Sequence, residues 1–412
     1  MNLLIDNKII NSFFLILFSI IPASIVLGPA ISLVNILLID ISFIFFLIYK
    51  KEYKFLSNST VRLILLLYIY LIFNSFIAND FSKSAMRSFG FIRFGILFCA
   101  FNYFFYSKDF LKKIFTIWTI TICIITLDVY IESFFGRNIL GYGEEYGSRI
   151  VSFFKDEPIV GGYMNGFFLM IIGYLFIFFK RYRIPILIIS IILLIAIFLT
   201  GERSNTIKAF IGFIIFYSLC KNFNIKEKLY FFSLTLTFII SLILNSEFLK
   251  HRYVDQIIDY RNIESSKENI IKKNIKTYFK ENIYFRLYKS GFSVFKNYPL
   301  FGVGNKNYQI ETCTNLLTKN YYCNTHPHQT YFEFLSEHGI IGTIILLLIF
   351  YNLVFIKTKT ILKSMNYLQL GCFTFLLIYF IPLLPSGAFF SDYNLTIFWL
   401  NLSLMYSVEK KL

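Results

Sequence analysis

Two histidines flank a proline in His326-Pro327-His328-Gln329, shortly before an apolar run that could cross a bilayer. The chain has four histidines, and three of them, His326, His328 and His338, fall in this window. A neutral imidazole near a membrane boundary can accept a proton from a reacting hydroxyl. Glu333 and Glu337 follow closely and could orient such a ring or balance its charge. Arg149, Arg203 and Arg286 stand in polar stretches between apolar runs, and Arg87 and Arg93 in or near one of them. The planar arginine fork makes paired hydrogen bonds to phosphate oxygens, so these residues suit an anionic, diphosphate-bearing ligand. Snorkelling or a helix-end ion pair is the plainer explanation of any one arginine, and an interfacial loop position the plainer explanation of a lone histidine. Several arginines on one face near a base make the chemical explanation competitive. A metal site of His326, His328 and Glu333 is a weaker alternative, because His-Pro-His is a stiff, extended link and no further ligand cluster appears.

The histidine window must be positioned by a helix start. Pro327 suits a first turn, Thr325 or His326 can cap it, and Gly339 suits the C-terminal cap. His328 then falls in the first turn, where the positive helix end disfavours imidazolium and keeps the ring able to accept a proton.

Composition defines the larger frame. The chain has 412 residues, is 57% hydrophobic with 52 phenylalanines, and has a mean hydropathy of +0.63. A soluble protein of this length carries more charge. Apolar runs of bilayer-spanning length predict an all-α, polytopic transmembrane helical bundle of about 12 spans. They lie near 9–27, 29–48, 60–78, 84–105, 112–133, 159–179, 184–201, 205–220, 229–246, 338–356, 366–385 and 390–407. No small-residue cleavage site follows the first run, so it is expected to remain as a span.

Short-loop lysines and arginines orient the bundle. Lys50, Lys51 and Lys54, Lys108, Lys112 and Lys113, Lys180, Arg181 and Arg183, Lys221, Lys226 and Lys228, Lys357, Lys359 and Lys363, and Lys410 and Lys411 fall on one side if the spans alternate. That side is expected to be cytoplasmic and to hold both termini. The net charge of +16 then reports topology and anionic membrane lipids rather than nucleic acid. Three regions follow: helices over 1–246, a long outer loop over 247–337 carrying histidine and arginine motifs, and helices over 338–412. Shorter outer segments lie at 134–158, 79–83, 201–204 and 385–390. Long outer loops often cover a site. Within the long one, 264–282 has the apolar spacing of an amphipathic surface helix. Residues 284–297 continue helically, with Arg286, Lys289 and Ser293 on one stripe. Cys99, Cys123, Cys220 and Cys372 fall in spans, whereas Cys313 and Cys323 share the outer loop, where a bridge is plausible.

These features resemble the O-antigen ligase and polymerase superfamily of bacterial membrane glycosyltransferases. The family's ligase pattern is His, then Asn, Ser or Gln, nine residues, Gly, two residues and commonly Gly. His328, Gln329, the stretch from Thr330 to His338, Gly339 and Gly342 match it throughout. Thr200-Gly201-Glu202-Arg203-Ser204, and Arg286 followed by Phe295 to Gly304, look like further family blocks. The resemblance implies an inverting, metal-independent glycosyl transfer at the periplasmic face of the inner membrane, without a cofactor. The donor would be a glycan on undecaprenyl diphosphate, and for a ligase the acceptor would be a lipid A–core sugar hydroxyl. His328 would be the base, Arg203, Arg286 and Arg149 would bind the diphosphate, and His326, Gln329, Glu333, Gly339 and Gly342 would support them. A polymerase would use the same donor with a second lipid-linked glycan as acceptor, and a protein-glycosylating relative would share the chemistry. A glycan-lipid transporter is the alternative from another class; it would more often show paired halves with broken helices, which are not evident here.

Overall fold

The computed structural model of the chain describes residues 8–51, 58–105, 107–143, 149–155, 157–255 and 282–407. Every regular element among them is helical. The first half comprises α1 (Lys8–Val26), α2 (Pro29–Lys50), α3 (Ser59–Phe76), α4 (Phe81–Gly90), α5 (Ile92–Phe104), α6 (Lys108–Phe135) and α7 (Val160–Phe178). The second half continues with α8 (Arg183–Leu199), α9 (Arg203–Leu219), α10 (Ile225–Asn245) and the single turn α11 (Glu247–Lys250). Then come α12 (Ile283–Asn297), α13 (Tyr308–Thr314), α14 (Thr330–Val354), α15 (Thr358–Ser364), α16 (Tyr367–Tyr379) and α17 (Asp392–Ser407).

Helix starts follow local chemistry. Side-chain oxygens of Asn58, Asp80, Asn224, Asn282 and Asn366 accept from backbone N–H groups of the first turn, which have no partner within the helix. Pro29 opens α2, where its missing N–H costs nothing.

Each of the expected spans has a helix. Nine described helical segments are long and apolar enough to cross a membrane. The helices at the other three spans, α9, α16 and α17, have 17, 13 and 16 residues. They tolerate their shortness by packing inside the bundle; in α17 every residue from Leu395 to Tyr406 is buried. Helix α7 is the centre, with 89% of its apolar window buried, whereas α10 has 6% buried and presents its side chains outward. Exposed Ile, Leu and Phe on α1, α2, α3 and α10 form the apolar exterior that a bilayer requires.

The stretch 264–281 expected to form an amphipathic helix, Lys54, Gly147 and Ser148, and Lys410 and Lys411 lie outside the described residues. Helix α12 forms over the expected stretch and ends before Tyr298. Cys313 and Cys323 are joined as a disulfide, closing the loop directly before the histidine window.

The histidine helix differs from expectation at its start. Its N-cap is Gln329, whose side-chain oxygen accepts from Tyr331 N (2.8 Å) and Phe332 N (3.0 Å). Thr325 and His326 therefore do not cap it, and His328 precedes the first turn instead of lying in it. The Pro327 ring constrains the chain too early for a helix starting at Thr330, and His328 takes a left-handed φ of 56° to make the turn.

Gly339 interrupts α14 with φ 62° and ψ −169°. The break frees backbone groups on both sides, and the 299–304 segment meets them. Ile340 N and Ile341 N donate to Pro299 O and Leu300 O (2.8 and 3.1 Å), while Val303 N and Gly304 N donate to Ser336 O and Glu337 O (3.0 and 2.9 Å). A Cβ at Gly339 would overlap the Leu300 backbone. One turn on, a Cβ at Gly342 would overlap the Tyr70 hydroxyl, which bonds His338 Nδ1 at 3.1 Å. The two glycines of the motif thus lock the outer loop and α3 against the helix that follows His328.

Candidate active site

Loops from one end of the bundle surround a cavity of about 1620 Å³. Arg149, Arg203, Arg252, Lys306, His326 and His328 all line it. The basic clusters that oriented the spans in sequence do not reach it.

Arg149 is placed by two acids on one face of α6. Glu132 accepts from Val151 N (2.9 Å) and Ser152 N (2.7 Å), and Asp128 accepts from Ser152 Oγ (2.5 Å) and Ile139 N (3.0 Å). Carboxylates one helical turn apart pin the loop that carries the arginine. Arg203 opens α9 after a tight turn at Gly201, whose φ is 71°. The turn's carbonyl accepts from the Arg252 guanidinium at 3.0 and 3.3 Å. Burial, then the nearby Arg149 and Arg203, pull the Arg252 pKa below its ordinary value. The Arg149 and Arg203 guanidinium groups form no salt bridge or hydrogen bond with the described residues. The N-terminus of α9 adds its own positive dipole end.

Glu202 stands among these cations in the cavity wall. It accepts from Gly161 N (2.6 Å), Gly162 N (3.2 Å) and Asn205 Nδ2 (2.7 Å), tying the start of α7 to the start of α9. Burial pushes its pKa up to about 7 against these hydrogen bonds and Arg149. Glu202→Gln turns an amide NH2 toward backbone N–H donors. It is expected to lower stability by about 1–3 kcal/mol, measured as the shift in thermal unfolding of the detergent-solubilised protein.

The histidines pack ring to ring, 3.9 Å between centroids. His326 Nε2 lies 3.3 Å from Ser386 O, which fixes it as the N–H donor, leaving Nδ1 for the Thr325 hydroxyl at 2.9 Å. Burial, with His328 and Lys306 nearby, lowers the His326 pKa to about 3, so this ring is neutral. The His328 ring makes no hydrogen bond to the described residues, and Tyr284 packs edge-on at 6.1 Å. Burial also lowers the His328 pKa. Its neutrality thus has a different physical origin from the helix end expected in sequence.

One loop joins the two halves of the site. Ser386 N donates to His328 O (2.9 Å), and Ser204 Oγ donates to Pro385 O, so adjacent loop residues hold His328 and the neighbour of Arg203. Glu333 anchors the same loop through Phe389 N at 2.9 and 3.0 Å. Glu337 accepts from Lys306 N (2.8 Å) and Tyr308 N (3.3 Å). Both acids are fully buried and serve backbone donors, so neither orients His328 as the sequence suggested. Glu333 is likewise turned away from the alternative His326, His328 and Glu333 ligand set. No cluster of three His, Cys, Asp or Glu suited to a metal occurs among the described residues.

Arg149, Arg203, His326 and His328 are therefore brought together, whereas Arg286 is not. Arg286 is exposed on α12 with its guanidinium 4.4 Å from the Tyr322 ring centroid, outside the cavity lining. Arg87 and Arg93 both reach the cavity wall but are held by Asp392. Sequence reasoning missed Arg252, although an arginine just after a span on the side poor in positive loops was a usable signal. It also missed Lys208, a charge inside an apolar run. The Pro385–Ser386 loop gave no signal, because its contribution is made by backbone groups.

The fold and cavity define a polytopic membrane protein with a one-sided, cationic and imidazole-bearing cavity, part of whose wall, at Ile25, Leu27, Pro29 and Leu33, is apolar. Residues 188–347 match the family model described as O-antigen ligase, a finding that supports the resemblance to the O-antigen ligase and polymerase superfamily. The matched stretch holds Arg203, Arg252, Arg286, His328, Gly339 and Gly342, but not Arg149. No curated protein matches the chain.

Proposed function

We propose that the protein is a ligase-type glycosyltransferase that moves a glycan from undecaprenyl diphosphate to a sugar hydroxyl of lipid A–core at the periplasmic face of the inner membrane. The observation that carries this is the meeting of His328, whose neutral ring makes no hydrogen bond to the described residues, with Arg149, Arg203 and Arg252 around one cavity. The acceptor hydroxyl attacks the anomeric carbon, its proton passes to a His328 ring nitrogen, and the carbon–oxygen bond to the diphosphate breaks. Electrons of that bond stay on the diphosphate, where charge grows and fixed cations stabilise it. Attack from the face opposite the leaving group inverts the anomeric centre. The apolar wall of α1 and α2 suits the polyprenyl chain. Arg286 would join the arginines only by leaving Tyr322.

The resemblance implies that no metal is needed, and transfer is expected to persist in EDTA. Gene deletion with lipopolysaccharide gel analysis tests the assignment to ligase. Loss of all polymer from core, with polymer retained on undecaprenyl diphosphate, is expected. Core capped with a single repeat would instead indicate a polymerase.

A further inference from the structure

Lys208 lies on α9, five residues beyond Arg203, and lines the same cavity. It is 5% exposed, and its ammonium makes no salt bridge or hydrogen bond to the described residues. The ammonium lies over the Tyr379 ring, 5.6 Å from its centroid. Of the acids in the cavity wall, Asp392 holds Arg87 and Arg93, Glu202 holds backbone amides of α7, and Glu157 forms no ion pair with Lys208. Asn165 of α7, 3% exposed and also in the wall, has an amide oxygen with no partner among the described residues. A buried ammonium without a counter-ion is costly inside a membrane protein. The cost is removed if a ligand supplies the negative charge.

We propose that Lys208, supported by Asn165, takes the lipid-attached phosphate of a polyprenyl diphosphate, while Arg203 takes the glycan-bearing one. This rests on the donor class proposed above. Helix geometry puts Lys208 about 7 Å deeper along α9 than Arg203. The order matches the ligand: the phosphate bonded to the lipid lies nearer the membrane interior, and the one bonded to the sugar lies nearer the outer face. The Asn165 amide can donate to a phosphate oxygen or accept from Lys208, according to which way it is turned. Lys208 also lies about one helical turn below Ser204, whose hydroxyl holds the Pro385 loop, so its depth relative to His328 is set by the same contacts.

Binding of undecaprenyl diphosphate and undecaprenyl monophosphate to the full-length protein in nanodiscs tests the proposal. Lys208→Met should weaken binding of both ligands at least about tenfold, or about 1.4 kcal/mol, and Lys208→Arg should retain most of it. Arg203→Ala should weaken the diphosphate and spare the monophosphate. Wild-type affinity for both ligands in Lys208→Met would overturn the Lys208 assignment alone. Failure of the wild-type protein to bind undecaprenyl diphosphate would overturn the donor assignment with it. Thermal unfolding checks each variant, and Lys208→Gln replaces Lys208→Met under the same thresholds if the latter does not fold.

Discussion

His328→Ala is expected to lower glycan transfer by at least about a hundredfold, the lower end of what a positioned general base contributes. Expression and membrane insertion should be unchanged, because the ring makes no hydrogen bond to the described residues and helix α14 is capped by Gln329 instead. The left-handed φ of 56° is a backbone property that alanine can also adopt at modest cost. The wild-type pH profile carries a second signature. Only the neutral ring can accept the proton, and burial holds the His328 pKa below the ordinary 6.5. Transfer should therefore be level near neutral pH and fall about tenfold per pH unit once the pH drops below the His328 pKa. Glu202, whose pKa is raised to about 7, titrates in a neighbouring range. Repeating the profile in Glu202→Gln separates the two groups: the acid limb due to His328 should remain. A wild-type-like rate for His328→Ala in a gel-based transfer assay would remove His328 from the chemistry.

Arg203→Ala is expected to cost about a hundred- to a thousandfold in transfer, the range seen when one preorganised stabiliser of developing charge is removed. Arg203 stands at the N-terminus of α9, beside Arg149 and Arg252, and its guanidinium makes no salt bridge or hydrogen bond to the described residues. Its loss should raise the donor dissociation constant and lower the rate with donor bound, since the diphosphate is anionic before reaction and more so as the sugar leaves. Arg203→Lys should recover little, because an ammonium cannot make the paired bonds of the guanidinium fork. Single-turnover transfer with saturating donor separates the two effects. A rate loss confined to subsaturating donor would restrict Arg203 to binding.

The helices were legible in sequence because lipid demands long apolar runs, and each run expected to be a span holds a helix. Part of the candidate site was legible in its residue types, in that His328, Arg149 and Arg203 line one cavity as their shared face suggested. Three features were not. The helix start shifted to Gln329, because Pro327 and the left-handed His328 complete the turn before the first helical residue, and sequence rules weigh Pro and Thr more heavily than Gln. Glu333 and Glu337, one helical turn apart and close after His328 in sequence, turn inward to the Phe389, Lys306 and Tyr308 amides, contacts that depend on distant loops. Arg286 shares the outer region with Arg203 but stacks over Tyr322, and a sequence stripe cannot say which way an exposed helix face turns. Gly339 and Gly342, read as parts of a motif, act by allowing the Leu300 backbone and the Tyr70 hydroxyl to close in behind the histidine helix.

The most direct measurement is transfer by the purified protein supplied only with an undecaprenyl-diphosphate-linked glycan and lipid A–core. The expected result is glycan on core, with one undecaprenyl diphosphate released for each glycan moved and an inverted anomeric linkage. Failure to modify core while the glycan on undecaprenyl diphosphate grows longer would contradict the ligase assignment, and no use of the lipid-linked donor at all would contradict the proposed chemistry of the cavity.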